Sequence, residues 1–329
     1  MIRLSAMGDV ALTTGVLDWW GKQRGFRFTV CTRAEWTPLF DGHPAVDEVV
    51  AVTREQTKGL AWPVTARKLA RQFKGQGLLD LHGVLRSRIL AAFWQGPVRR
   101  YPKYSLDRRR YLRTGSQAAR ERLLRHNVPQ RYCLALESSA PPRTELLPRI
   151  FPTDQEKVEA ARVLAEISSP ERPLVALHPF ATHPDKAWPE ERWPQLAQRL
   201  EDAGFDWFVL GRGEPLPGLA GHPRDLTNRS NLRLSCALLD AARILVTGDS
   251  GPMHLAGGVA TPVVALFGPT DPAWGFYPAG PADHVLETDL DCRPCSLHGK
   301  RPCTRGRECL AALSVDQVLH SVDTVISNP

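Results

Sequence analysis

Asp249-Ser250-Gly251 follows the apolar run Ile244-Leu245-Val246, and small residues continue from Met253 to Val259. That order predicts a buried strand, a polar turn and a helix, which Thr261-Pro262 ends before a second strand at Val263–Phe267. Such a turn presents unpaired N–H groups and the positive end of a helix dipole, which suit an anion and most simply a phosphate. Ligands of open α/β sheets bind at this edge. Asp249 or Ser250 acting only as an N-cap is the plainer reading of the same residues. The second candidate is Asp9, in Ser5-Ala6-Met7-Gly8-Asp9-Val10. Close to a predicted helix start it can cap, and as a carboxylate at the mouth of a domain it can act as a general base.

Two further groups stand out. The stretch from Arg99 to Arg125 holds ten cations (Arg99, Arg100, Lys103, Arg108, Arg109, Arg110, Arg113, Arg120, Arg122, Arg125) against Asp107 and Glu121, with Tyr101, Tyr104 and Tyr111 interleaved. RNA, whose bases stack on tyrosines, suits such a surface, and so do lipid phosphates; an ordinary solvated face has the same composition. Cys292-x2-Cys295-x7-Cys303-x5-Cys309 has spacings compatible with a tetrahedral four-thiolate zinc site. Two local disulfides or four reduced thiols fit the same spacings. Lys300, Arg301, Arg305 and Arg307 would offset the charge of a zinc-thiolate core.

The scaffold predicted for these residues is α/β. Strands are expected at Phe26–Val30, Val46–Val52, Leu78–His82, Leu174–His178, Trp207–Leu210 and Val263–Phe267, with helices between them. Helices are expected from Asp9 towards Lys22, from Trp62 to Phe73, from Gln155 to Ile167, from Pro189 to Ala203 and from Leu232 to Ala241. A last helix is expected at Ser314 to Val325. The pattern repeats in both halves of the 329 residues, so two domains are expected, 1–155 and 170–329.

A net charge of +7 and a pI of 9.2 fit anionic partners without choosing among them. No secretory signal and no membrane span are expected, since no apolar run approaches the required length. Gly211-Arg212-Gly213 is not a dinucleotide fingerprint, and the chain carries no Walker A, His-Glu-x-x-His or Gly-x-Ser-x-Gly sequence. Dehydrogenase, P-loop ATPase, zincin and α/β-hydrolase therefore lose weight.

Three stretches resemble glycosyltransferase family 9, the ADP-heptose:lipopolysaccharide heptosyltransferases. They are Arg3–Val10, Thr182-His183-Pro184-Asp185-Lys186-Ala187-Trp188-Pro189, and Asp249–Ala256 together with Phe267-Gly268-Pro269-Thr270-Asp271-Pro272. Asp80-Leu81-His82-Gly83 and Arg86-Ser87 are also similar to the family, whereas the first strand, Ile2-Arg3-Leu4, is shorter than usual.

The resemblance implies a GT-B fold, two Rossmann-like domains facing across a cleft, with the acceptor in the first and the nucleotide-sugar in the second. It implies an inverting transfer that needs no catalytic metal. Asp9 matches the general base, Thr182 and Lys186 the diphosphate-binding pair, and Asp249, Ser250, Gly251 and His254 the donor loop. Glu214 matches a ribose-binding glutamate. Arg86, Arg99, Arg100, Lys103, Arg108, Arg109 and Arg110 are expected to grip an anionic glycolipid acceptor. ADP-heptose is the expected donor and nucleic acid is not an expected partner. A cytoplasmic protein peripheral to the inner face of the cytoplasmic membrane follows; the resemblance gives the cysteine segment no role, and a structural zinc on Cys292, Cys295, Cys303 and Cys309 rests on their spacing alone. In that setting the last helix is expected to cross back to the first domain. The alternatives are a GT-B enzyme using another nucleotide-sugar for a surface glycan, and an RNA-binding protein with a zinc knuckle.

Overall fold

The computed structural model describes residues 1–297, 299 and 301–327. The chain forms two compact units. The first comprises residues 1–105 and 126–151; the second comprises residues 106–125 and everything from Pro152 onward.

The first unit opens on Ile2, a single bridging residue, and on helix α1 (Met7–Arg24). Strands β1 (Phe28–Arg33) and β2 (Val46–Val52) follow, then helix α2 (Ala61–Gln72), strand β3 (Leu78–Asp80), helix α3 (Leu85–Phe93) and strand β4 (Val98–Arg100). Both strand pairs are parallel. Ile2 bridges Cys31 on one side and Asp80 on the other, joining them in the order β2-β1-Ile2-β3-β4. The short first strand therefore sits in the middle of the sheet, where Ile2 and Leu4 are buried. Its backbone is paired on both sides, Ile2 N donating to Leu79 O (2.9 Å) and Arg3 N to Cys31 O (3.1 Å). Helix α1 packs so closely on the segment after residue 145 that a Cβ on Gly15 would lie 1.9 Å from the Leu147 carbonyl oxygen.

Helices α4 (Ser105–Thr114) and α5 (Gln117–Leu124) come next, and α6 (Val128–Cys133) returns the chain to the first unit. The sequence predicts 1–155 as an unbroken domain, but residues 106–125 belong to the second unit. Buried polar anchors decide this. Tyr111 OH donates to Asp271 Oδ2 at 2.9 Å, Arg120 Nε approaches the same oxygen at 3.4 Å, and Arg108 donates to Trp274 O at 3.3 Å.

The second unit continues with α7 (Asp154–Ala165), which Thr153 caps by accepting Glu156 N. Then come β5 (Leu174–His178), α8 (Arg192–Asp202), β6 (Asp206–Val209), α9 (Leu232–Ala241), β7 (Ile244–Gly248), α10 (Gly251–Gly258), β8 (Val263–Phe267), β9 (His284–Glu287), α11 (Glu308–Ala311) and α12 (Val315–Ser327). Five parallel strands run in the order β6-β5-β7-β8-β9, with Val175 opposite Ile244 and Leu245 opposite Val263. Strands β5 and β8 are buried throughout and β7 in all but Gly248, as a sheet covered on both faces requires. Trp188, Trp193, Leu196 and Leu200 fill the core beneath α8. Helix α12 packs on α8 and on β7, β8 and β9. Val318, Val322 and Val325 are buried in this core, and the last helix is counted with the second unit. No helix among the described residues is long and apolar enough to cross a membrane.

Candidate functional site

In each unit the strand order reverses once, between Ile2 and β3 in the first and between β5 and β7 in the second. The crevice at the C-terminal ends of strands flanking such a reversal is where doubly wound sheets bind ligands. The chemistry-bearing residues collect at these two places.

In the first unit Asp9 occupies the third position of α1 and its Oδ2 accepts Ala6 N at 3.3 Å. Its Oδ1 lies 2.5 Å from Arg3 Nη2 and accepts Tyr132 OH at 3.3 Å. The carboxylate thus caps the helix and still keeps 21% of its side chain exposed. Arg3 is buried, donates to Leu81 O at 2.6 Å and lies over the Tyr132 ring. Burial opposes its charge, but Asp9, Tyr132 and Tyr101 outweigh that and raise its pKa.

The β3 end supplies the other wall. Asp80 is fully buried and its Oδ1 accepts the N–H groups of His82 (3.0 Å) and Gly83 (2.9 Å). Its Oδ2 meets Arg100 Nε at 3.2 Å. Burial, and then the Arg3 charge, push His82 down to about 3, so its ring is neutral; its Nδ1 is buried with no hydrogen-bond partner.

In the second unit Lys186, on the loop after β5, lies 2.5 Å from Asp249 Oδ2 on the loop after β7, and Thr270 Oγ1 donates to the same oxygen at 3.0 Å. Ser250 is the N-cap residue of α10, and its side chain makes no cap bond. Instead Ser250 Oγ joins Thr247 Oγ1 (2.9 Å) and His178 Nδ1 (3.3 Å). Pro252 has no N–H, so Gly251 and Met253 carry the first backbone donors of this helix. Burial pushes His178 down to about 4, so the ring beneath the loop is neutral. His254 is buried within α10.

Thr182 and Glu214 are exposed. Glu214 follows Gly211, whose φ of +134° only glycine adopts readily and whose added Cβ would collide with Phe180 at 2.5 Å. That close approach sets the Glu214 loop against the loop leading to Thr182 and Lys186. Asn228 clamps it, donating to Gly213 O at 2.9 Å and accepting Gly213 N at 3.2 Å.

The seven basic residues expected to grip an acceptor are divided between the two units. Arg86, Arg99, Arg100 and Lys103 lie in the first unit, Lys103 donating to Gly83 O at 3.4 Å. Arg108, Arg109 and Arg110 lie on α4 in the second. Arg109 and Arg110 are exposed there, whereas Arg108 is buried against Trp274 and serves to anchor the helix.

Cys292, Cys295, Cys303 and Cys309 line one small cavity with Arg293, Arg301, Arg305 and Arg307. Cys303 Sγ accepts two backbone N–H groups, from Arg305 (3.4 Å) and Arg307 (3.3 Å). All four are free cysteines rather than disulfides. Among the described residues no three His, Cys, Asp or Glu side chains are arranged to hold a metal ion. The same segment leans on the Lys186 loop, Cys303 N donating to Asp185 Oδ2 at 3.2 Å and Arg307 to Pro184 O at 3.2 Å.

Sequence reasoning missed Arg3 and Tyr132 as partners of Asp9. Arg3 carried a signal, a lone cation in an otherwise apolar strand. Tyr132 lies 123 residues from Asp9 and carried none.

Residues 66–302 match the profile of glycosyltransferase family 9 (heptosyltransferase). The lipopolysaccharide heptosyltransferase 1 of Pseudomonas aeruginosa is 29% identical, over 92% of this chain and 86% of that protein. A family 9 glycosyl transferase from Veillonella parvula superposes with a TM-score of 0.74 at 21% identity, covering 100% of this chain and 96% of that one. The ADP-heptose lps heptosyltransferase II of Escherichia coli superposes at 0.69 with 19% identity, covering 99% and 97%. These likenesses establish the GT-B fold.

Proposed function

The chain belongs to glycosyltransferase family 9, and on that premise we propose that it transfers a heptose from ADP-heptose to an acceptor in the lipopolysaccharide core. An acceptor hydroxyl attacks the anomeric carbon of the heptose as the bond from that carbon to the diphosphate oxygen breaks. ADP leaves with the electron pair, the configuration inverts, and Asp9 takes the hydroxyl proton. Arg3 and Tyr132 orient the Asp9 carboxylate for that step. Burial leaves His82 a weaker proton acceptor than an ordinary imidazole.

Negative charge grows on the departing diphosphate. Lys186 answers it with a point charge and the Gly251 and Met253 amides answer it with helix-end donors. Thr182 adds a hydroxyl, Asp249 fixes the Lys186 ammonium, Glu214 faces the ribose and His254 lies within the same helix. The observation that carries this reading is the Lys186–Asp249 pair at the strand-order reversal of the second sheet. Arg86, Arg99, Arg100 and Lys103 are the acceptor contacts, with Arg109 and Arg110 exposed and available to an anionic group. Such an acceptor is a membrane glycolipid, so the protein works peripherally at the inner face of the cytoplasmic membrane.

Calorimetry with ADP, and with UDP and GDP as controls, tests the donor. ADP binding near about −8 kcal/mol is expected, weakened roughly tenfold to a hundredfold by Lys186→Ala. Preference for UDP or GDP removes heptose as the donor sugar, and no nucleotide binding removes the donor site.

We also infer that Cys292, Cys295, Cys303 and Cys309 hold a structural zinc. What supports this reading is the Cys-x2-Cys-x7-Cys-x5-Cys spacing and the lining of one cavity by all four thiols, which would draw together on binding the ion. Its chemistry is structural: it ties the cysteine segment down beside the Lys186 loop. One zinc per chain by elemental analysis, lost in Cys295→Ser/Cys309→Ser, is the expected result; zinc-free protein of wild-type stability overturns it.

A further inference from the structure

Large apolar side chains are exposed at few places among the described residues of the first unit, and three of them share one end of the α2–α3 pair. Leu60 is 88% exposed, Leu85 73% and Val64 57%. Two hydrogen bonds make them neighbours. The Trp62 indole donates to Arg86 O at 2.8 Å, and Arg86 Nε donates to Thr57 O at 2.9 Å. These bonds join the segment 57–62 to the first turn of α3, which begins at Leu85.

Helix α2 explains why the apolar side chains face outward. Trp62, Ala66, Leu69 and Ala70 are its buried side. Leu60, Val64, Arg67 and Arg71 follow at helical spacing on the opposite side. That stripe is apolar at its first turn and basic after it. Lys58, Arg67, Lys68, Arg71 and Arg88 are all exposed around it, and residues 58–72 and 85–93 contain no acidic side chain. Arg67 lies over the Phe93 ring of α3, closing the pair from the other end.

More than half exposed, these three aliphatic side chains contribute little packing to the fold. Protruding aliphatics ringed by long cations are the arrangement that inserts into an interface of anionic lipids: apolar tips enter the acyl boundary while Lys and Arg stay at the headgroups. Leu85 also opens the helix that follows Asp80 and His82, so the patch lies at the same C-terminal edge of the sheet as Asp9.

We propose that Leu60, Val64 and Leu85, with Lys58, Arg67, Lys68 and Arg88, form a docking surface for an anionic lipid membrane. It presents the Asp9 edge of the first sheet to glycolipid headgroups. This rests on the reading that the acceptor is membrane-borne, and not on the identity of the donor sugar.

The test is co-sedimentation of the full chain with vesicles of phosphatidylcholine alone and of phosphatidylcholine with phosphatidylglycerol. Wild type is expected on the anionic vesicles, falling with salt. Leu60→Asp/Leu85→Asp is expected to weaken partitioning roughly tenfold or more, with an unchanged melting temperature and unchanged ADP binding. Lys58→Glu/Lys68→Glu, fully on the surface, gives a second reading independent of the apolar pair and is expected to abolish the preference for anionic lipid. Wild-type partitioning of both variants overturns the docking surface and leaves membrane attachment standing. Failure of the wild type to bind anionic vesicles overturns both, while ADP binding still reports on the donor site. A change from dimer to monomer in Leu60→Asp/Leu85→Asp, with vesicle binding intact, assigns the patch to a second copy of the chain and overturns the proposal.

Discussion

Arg3 and Asp9 form an ion pair at 2.5 Å in which the cation is buried and the carboxylate is not. The cation belongs to the strand and the carboxylate to the helix that follows it, so the pair closes the turn between them. Arg3 is held from behind by Leu81 O and the Tyr132 ring and has no other place to go. The carboxylate is consequently aimed by a fixed partner while one edge stays open to solvent.

Removing that partner should cost both stability and rate. Arg3→Met is expected to lower stability by about 3 kcal/mol, since it leaves a partly buried carboxylate without its charge partner. Urea unfolding measures this. Arg3→Lys should recover part of the stability and, lacking the planar fork, less of the turnover.

Asp9→Asn tests the proposed base. Transfer should fall by roughly 10²- to 10⁴-fold in kcat, the usual worth of a positioned proton acceptor, with ADP affinity unchanged. Wild-type turnover in Asp9→Asn would rule out Asp9 as the base.

Acid should destabilise the fold through His82 and His178. Burial depresses both, to about 3 and about 4, from an ordinary 6.5. Below pH 6.5 the unfolded chain binds protons that the folded chain refuses, so stability falls as pH falls from about 6.5 towards 4. At pH 5 each histidine should cost about 2 kcal/mol relative to pH 7. Unfolding titrations at the two pH values should show a shallower dependence in His178→Asn; an identical dependence would show that His178 is not held neutral.

Asp271 should govern the attachment of the α4–α5 hairpin. Asp271→Ala strips the partner from Tyr111 and Arg120 and the cap from Ala273 N. A loss of about 2–3 kcal/mol is expected, with faster proteolysis between residues 106 and 125. Tyr111→Phe, which removes one bond only, should cost about 1 kcal/mol. Unchanged proteolysis in both variants would mean the hairpin is held by other contacts.

Much of this protein is local and was legible in the residues. Val46–Val52, Leu174–His178, Leu232–Ala241 and Val263–Phe267 have the predicted bounds, because apolar runs, caps and breakers act within a few residues of where they stand. Asp9, Lys186 and Asp249 are candidates on the same local grounds or by family resemblance, since each lies in a short motif. Strands β4 and β9 were missed: three or four residues at the edge of a sheet, half exposed, carry no period to read.

What the tertiary structure decided is which residues meet. Lys186 and Asp249 are 63 positions apart, and Tyr132 and Asp9 are 123 apart. Parallel strands force this distance, because each connection must return through a helix before the next strand pairs. The strand-order reversals then bring loops from distant strands to one edge. The hairpin 106–125 makes the same point about charge. Its composition reads as a solvated or ligand-binding face, yet Arg108, Tyr111 and Arg120 are committed to Asp271 and Trp274. A cation's type and neighbours set what it is able to bind; only the folded chain sets whether a carboxylate of its own has already taken it.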